Sequence, residues 1–204
     1  MTAGPESDTA TRGVDGGPAA LRRLRQACAR FDELVRAVRP DQWESSTPCS
    51  PWLVRDLINH VTVEDLWAER LLGGSSIADV GTALDGDRLG AAPVHTWTAA
   101  MDGALAAASA PGVVSRTVGL SFGDVSGEEY LMQLFADHLV HGWDLSVALG
   151  ADRRLDPVLV GDCLAWFADH EQPYRAAGAV GPRAALPIDP DPQTHLLALF
   201  GRTS

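Results

Sequence analysis

Between Glu128 and Leu149 almost every face of a helical wheel is apolar, with Tyr130, Met132, Leu134, Phe135, Leu139, Val140, Trp143, Leu145 and Val147 spread around the axis. A helix with so few charges left for solvent must be covered by other elements on most sides. The chain supplies the partners. Leu21, Leu24, Cys28, Phe31, Leu34, Val35 and Val38 recur at three- and four-residue steps and predict a helix from Pro18 that Pro40 helps to stop. Ser50 as cap and Pro51 in the first turn predict a second helix, carrying Leu53, Val54, Leu57, Ile58, Val61 and Trp67 inward as far as Gly73 and Gly74. A third spans roughly 93–109 with Val94, Trp97, Met101 and Leu105. The expected fold class is therefore all-α: a four-helix bundle with a short β hairpin in 113–125. Extra C-terminal helices follow at about 157–170 and 193–200.

The remaining stretches read as connections. Residues 1–17 are small, polar and Gly-rich and predict a disordered N-terminal tail, leaving 18–204 as one helical domain. Residues 75–92 read as a loop and 173–192 as Pro-rich irregular chain.

Charge narrows the function. Sixteen basic residues against 27 acidic ones give a formal net charge of −11, the wrong sign for tracking phosphates or settling on an anionic membrane. Every basic residue is arginine, so lysine Schiff bases and the phosphate-loop lysine are excluded. The three cysteines, Cys28, Cys49 and Cys163, form no C-x-x-C pair, which argues against a disulfide framework or a cysteine zinc site. No apolar run approaches the roughly 18 residues of a membrane helix, and the start lacks a signal-peptide core. These features predict a cytoplasmic protein acting on a small molecule, with no nucleic-acid or membrane partner, as a monomer or homodimer.

The chemistry lies on 128–149. Asp137, His141 and Asp144 fall within about 60° of arc at helical spacing. A carboxylate and an imidazole inside a buried helix must be paired. One explanation is an intrahelical Asp137–His141 pair; the other is that both point at a common metal ion. His60, beside the line of Leu57, Val61 and Glu64 on the second helix, can face the same interior. Bundle cores build metal sites from facing helices, and three ligands leave a position for water or substrate. Cys49 reads as a packed residue at the helix start, since eleven residues of helix would set it about 15 Å from His60. His138 points about 100° away from Asp137. Asp144 can support a ligand from behind, with a structural bond near Trp143 as the preferred reading. Trp52, Trp67, Trp97, Trp143 and Trp166 read as core, and Cys28 and Cys163 as small hydrophobes. His95, His170 and His195 are expected to be exposed, while Arg55 and Arg116 are candidates for holding an anionic group.

Four ordered strings carry a family resemblance: T-P-C-S-P-W-L-V-R-D-L-I-N-H (Thr47–His60), L-S-F-G-D-V-S-G-E-E-Y (Leu120–Tyr130), D-H-L-V-H-G-W-D-L-S-V-A-L-G (Asp137–Gly150) and D-P-Q-T-H-L-L-A-L-F-G-R (Asp191–Arg202). They resemble the DinB/YfiT-like metal-binding superfamily, in the actinobacterial branch related to the N-terminal domain of mycothiol-dependent maleylpyruvate isomerase. The resemblance implies a DinB-like bundle whose His–(Asp/Glu)–x3–His set holds a divalent metal, carried here by His60, Asp137 and His141. The isomerase has glutamate where this chain has Asp137. Zinc suits the ligand types, with nickel or another transition ion as alternatives. The expected function is activation of a mycothiol-type thiol, as cosubstrate, for S-transfer or isomerisation on a small electrophile. A metal-dependent hydrolase and a non-catalytic regulatory module are the rival expectations. Glu64, one turn beyond His60, is the candidate general base, with a supporting or surface carboxylate as the alternative.

Overall fold

In the computed structural model, which describes residues 18–203, four long helices form a bundle. The tail expected at 1–17 lies outside the described residues. The elements run α1 (Ala19–Arg36), α2 (Val54–Leu72), the single turn α3 (Ile77–Val80), α4 (Pro93–Ala108), β1 (Thr117–Leu120), β2 (Gly123–Ser126), α5 (Gly127–Leu149), α6 (Pro157–Ala176) and α7 (Pro192–Leu199). α1 packs on α5, α5 on α2, α2 on α4, and α4 back on α1, closing the bundle. α6 and α7 pack on each other, and α6 also reaches α5. No helix among the described residues is long and apolar enough to cross a membrane.

The apolar periodicities fold as expected. Leu21, Leu24, Cys28, Phe31, Leu34 and Val35 of α1 are buried, as are Val54, Leu57, Ile58 and Val61 of α2. Fully burying side chains of this size contributes about 1.5–3 kcal/mol each. Trp97 is wholly buried with its indole N–H donating to Asp32 Oδ1 at 3.0 Å, so the bulkiest core residue leaves no polar group unmet. α5 is covered on nearly every face, and Gly150 closes it at φ 68°, a left-handed conformation suited to glycine. At its other end Gly127 allows a close crossing. A Cβ there would lie 1.9 Å from the carbonyl oxygen of Val113. Ser126, whose hydroxyl accepts from the Glu129 N–H, caps the helix, and β1 and β2 form the expected antiparallel hairpin with Thr117 opposite Ser126.

Two boundaries differ from expectation. α2 begins at Val54, not Pro51, because residues 47–53 fold into a turn before it. Thr47 N–H donates to Trp52 O, Trp52 N–H donates to Cys49 O, and Ser46 pairs with Leu53. Asp56, not Ser50, takes the reciprocal capping role by accepting from Leu53 N–H at 3.0 Å. α6 runs to Ala176, through Pro173. The missing proline N–H deprives only Asp169 of a partner, and Asp169 is exposed, where water can serve its carbonyl.

Candidate metal centre

α2 and α5 present two facing stripes. His60 and Glu64 lie one turn apart on α2; Tyr130, Gln133, Asp137 and His141 follow one another at helical spacing on α5. The stripes run in opposite directions, with His60 beside Asp137 and the Glu64 charge acting on Tyr130. Where they meet, Asp137 Oδ1 lies 3.5 Å from His60 Nε2 and 3.4 Å from His141 Nε2. The two imidazoles stand edge to face with centroids 5.0 Å apart. The three residues expected from the sequence are thus brought together from two helices.

Those distances are long for hydrogen bonds, which favour about 2.7–3.2 Å. They match a shared centre better: donors about 2.0–2.2 Å from a tetrahedral ion lie roughly 3.4 Å from one another. One donor atom of each residue falls within 4.8 Å of the others. Asp137 Oδ2 is buried and has no hydrogen-bond partner among the described residues, an unmet acceptor of the kind a cation satisfies. The donor set, two imidazoles and a carboxylate, fits a divalent ion of the zinc type. Although burial opposes it, the neighbouring His141 and His60 hold the Asp137 carboxyl well below the usual range, so it is ionised.

Behind His141 lies a second group of side chains, Asp144, Arg202 and Cys49. Asp144 Oδ2 accepts from His141 Nδ1 at 3.0 Å, which fixes the ring and turns Nε2 toward Asp137. Of the two expectations for Asp144, the contact to the imidazole is the supporting one, and the preferred bond near Trp143 is not made. Arg202 donates to Asp144 through Nη2 at 2.8 Å and Nε at 3.2 Å, and its Nη2 also lies 2.8 Å from Cys49 Sγ. Cys49 Sγ is 3.0 Å from Asp144 Oδ2 and 3.8 Å from His141 Nδ1, so the separation expected from helical rise is wrong. The turn over 47–53 folds Cys49 back against α5 rather than extending it along the axis of α2. Cys49, His141 and Asp144 could also gather around an ion, but the Arg202 guanidinium occupies that position with like charge.

The three donors lie on the wall of a cavity of about 800 Å³ that also takes in Cys49, Glu64, Tyr130, Gln133 and Arg202. Trp52, Trp67 and Trp166 are half-buried, each packing against the core on one side and lining the cavity on the other; Trp97 and Trp143 are buried as expected. The indole of Trp52 lies 4.8 Å from the His60 ring and 5.9 Å from His141, packing both imidazoles from one side. Glu64 faces this cavity, and burial, with the charge of Asp137, pushes its carboxyl above the usual range.

The other candidates lie elsewhere. His138 points away as expected, its Nε2 3.3 Å from both oxygens of buried Asp65. Arg55 pairs with Asp87 at 2.7 Å and Arg116 donates to Leu72 O, so neither lines the cavity. His95 is exposed, but His170 and His195 are half-buried, His170 because it stacks on Trp166 and pairs with Glu129. Cys28 and Cys163 are buried, and burial pushes the Cys163 thiol up to about 12.

Residues 24–146 match the family described as "Mycothiol maleylpyruvate isomerase N-terminal domain". Two proteins from two strains of Mycobacterium tuberculosis, each described as an uncharacterized protein, are 33% identical over 175 residues, 85% of this chain and 92% of theirs. Among solved structures, a histidine-to-alanine variant of the mycothiol-dependent maleylpyruvate isomerase aligns with a TM-score of 0.56 at 15% identity. That alignment covers 72% of this chain and 66% of the isomerase, and it extends the likeness to the fold.

Proposed function

Because the chain belongs to the mycothiol maleylpyruvate isomerase N-terminal domain family, we propose that it is a metal-dependent enzyme. It would activate a low-molecular-weight thiol of the mycothiol type for S-transfer to, or isomerisation of, a small electrophile. The observation that carries this reading is the spacing of three donors, His60, Asp137 and His141, on the wall of a cavity of about 800 Å³. That volume lies within the usual range for small-molecule sites, about 300–1,000 Å³.

His60, Asp137 and His141 would hold the ion, zinc by donor type with nickel or another transition ion also suited. Bound there, a divalent cation would lower the pKa of a thiol from its free value of about 8.5 and so would supply the nucleophile. The protein's own residues do the rest. Asp144, itself held by Arg202, keeps the His141 ring oriented with Nδ1–H bonded. Trp52 backs both imidazoles, and with Trp67 and Trp166 gives the substrate apolar walls that limit water. Glu64 keeps a carboxyl proton more readily than an exposed glutamate, so its oxygen can hand a proton to the substrate carbon or take one back.

The test is conjugation of mycothiol to a chromogenic electrophile, with and without chelator. Turnover that requires the thiol, disappears with chelator and returns with zinc or nickel is expected. Thiol-dependent turnover that survives complete metal removal would overturn the proposal.

A further inference from the structure

Tyr130 stands on α5 two turns before Asp137, about 10 Å along the helix, and lines the cavity. The residue is only 4% exposed. Its hydroxyl has no hydrogen-bond partner among the described residues. The wholly buried side-chain atoms left unmet among those residues lie on Asp65, Gln133 and Asp137. The Tyr130 oxygen is not one of them, and keeps accessible surface where the residue lines the cavity. A buried phenol usually finds a partner for its O–H, so one left open to a cavity is set to meet a ligand.

Glu64 approaches from α2. It is half-buried on the same cavity wall, and it too has no hydrogen-bond partner among the described residues. Its charge acts on Tyr130, so the two groups are neighbours that do not bond each other. Burial, and then the charges of Glu64, Asp65 and Asp137, push the Tyr130 hydroxyl above its usual range, so it stays an O–H donor at neutral pH. One ligand can therefore meet a hydroxyl donor and a carboxyl together, with Trp67, Leu71 and Trp166 as apolar walls for the rest of it. A conjugated carbonyl has that shape: an oxygen for the donor and, two bonds away, an α-carbon for proton transfer.

We propose that the Tyr130 hydroxyl is a catalytic hydrogen-bond donor, binding the carbonyl oxygen of an α,β-unsaturated ketone, aldehyde or ester whose α-carbon lies beside Glu64. The inference rests on the function proposed above and names its substrate class. The thiolate sulfur bonds to the β-carbon, the electron pair of the double bond moves onto the carbonyl oxygen, and Tyr130 holds the enolate so formed. The Glu64 carboxyl then gives its proton to the α-carbon, and the proton released by the next thiol as it ionises restores the carboxyl. For isomerisation the enolate turns about its new single bond and expels the sulfur.

The experiment compares wild type with Tyr130→Phe, zinc content measured on both, using mycothiol and two electrophiles. Benzylideneacetone reacts through an enolate; monobromobimane loses bromide and forms none. Tyr130→Phe should lower kcat for benzylideneacetone about 100- to 1000-fold, the usual cost of one such donor, with little change in KM. Alkylation of monobromobimane should fall at least about tenfold less. The variant should melt no lower than wild type, because the hydroxyl has no internal partner to lose. With zinc present and thiol omitted, the infrared carbonyl stretch of bound benzylideneacetone should lie lower in wild type than in Tyr130→Phe. Equal losses on the two electrophiles, no loss on either, or a melting temperature well below wild type would overturn the inference. So would identical carbonyl stretches, or a wild type that alkylates monobromobimane and does not turn over benzylideneacetone. A lowered stretch with no thiol-dependent turnover on either electrophile would count against the function proposed above and leave the Tyr130 contact standing.

Discussion

Asp144 Oδ2 lies 3.0 Å from Nδ1 of His141, three residues earlier on the same helix, and this contact leaves the imidazole's other nitrogen facing Asp137. Hydrogen-bonded Nδ1–H fixes the tautomer with a lone pair on Nε2, the form in which histidine ligates a metal. Asp144→Asn should therefore lower zinc affinity about 10- to 100-fold, the usual cost of losing such a supporting carboxylate. Competition against a chromophoric chelator measures it, with circular dichroism expected to show the helices retained.

Arg202 compensates the wholly buried Asp144, and its own side chain is largely buried. Removing one partner of such a pair costs about 3–5 kcal/mol because the other charge is left buried. Arg202→Met should lower unfolding stability by that order in urea titrations. Adding Asp144→Asn to it should recover most of the loss, since the double variant leaves no uncompensated charge.

Glu171 gives the fold an acid-sensitive clasp. Arg183 first, and then Arg175, hold its carboxyl down to about 2 against the opposing effect of burial. The same arginines tie the chain after α6, whose Ala179, Val180 and Gly181 line the cavity. An unfolded glutamate titrates near about 4.3, so between that value and 2 the unfolded chain carries a proton that the folded one does not. Stability from this group is complete above about pH 5 and is lost as pH falls through 2. The urea midpoint of the wild type should fall between pH 5 and 3 more steeply than that of Glu171→Gln, whose midpoint should already be lower at pH 6.

Much of the bundle could be read from the apolar pattern, because α1 and α2 each bury one regular set of positions and α5, apolar on almost every face, is buried on nearly all of them. Asp137 and His141 were legible for the same reason, four residues apart on one helix, and His60 followed from its place beside Leu57 and Val61. Cys49 was not. Helical rise alone sets it far from His60, whereas a turn that leaves no periodic trace folds it onto His141. Arg202 lies 58 residues from Asp144 in sequence, in irregular chain after α7, where spacing carries no information about contact. The one signal available was that the last of the four family strings ends on Arg202.

Metal analysis of the purified protein beside four variants is the most direct measurement. Wild type and Cys49→Ala should each carry close to one equivalent of zinc or a similar divalent ion, and His60→Ala, Asp137→Ala and His141→Ala should carry almost none while remaining helical. Near-stoichiometric metal in those three variants, or its loss in Cys49→Ala alone, would contradict a centre built from His60, Asp137 and His141.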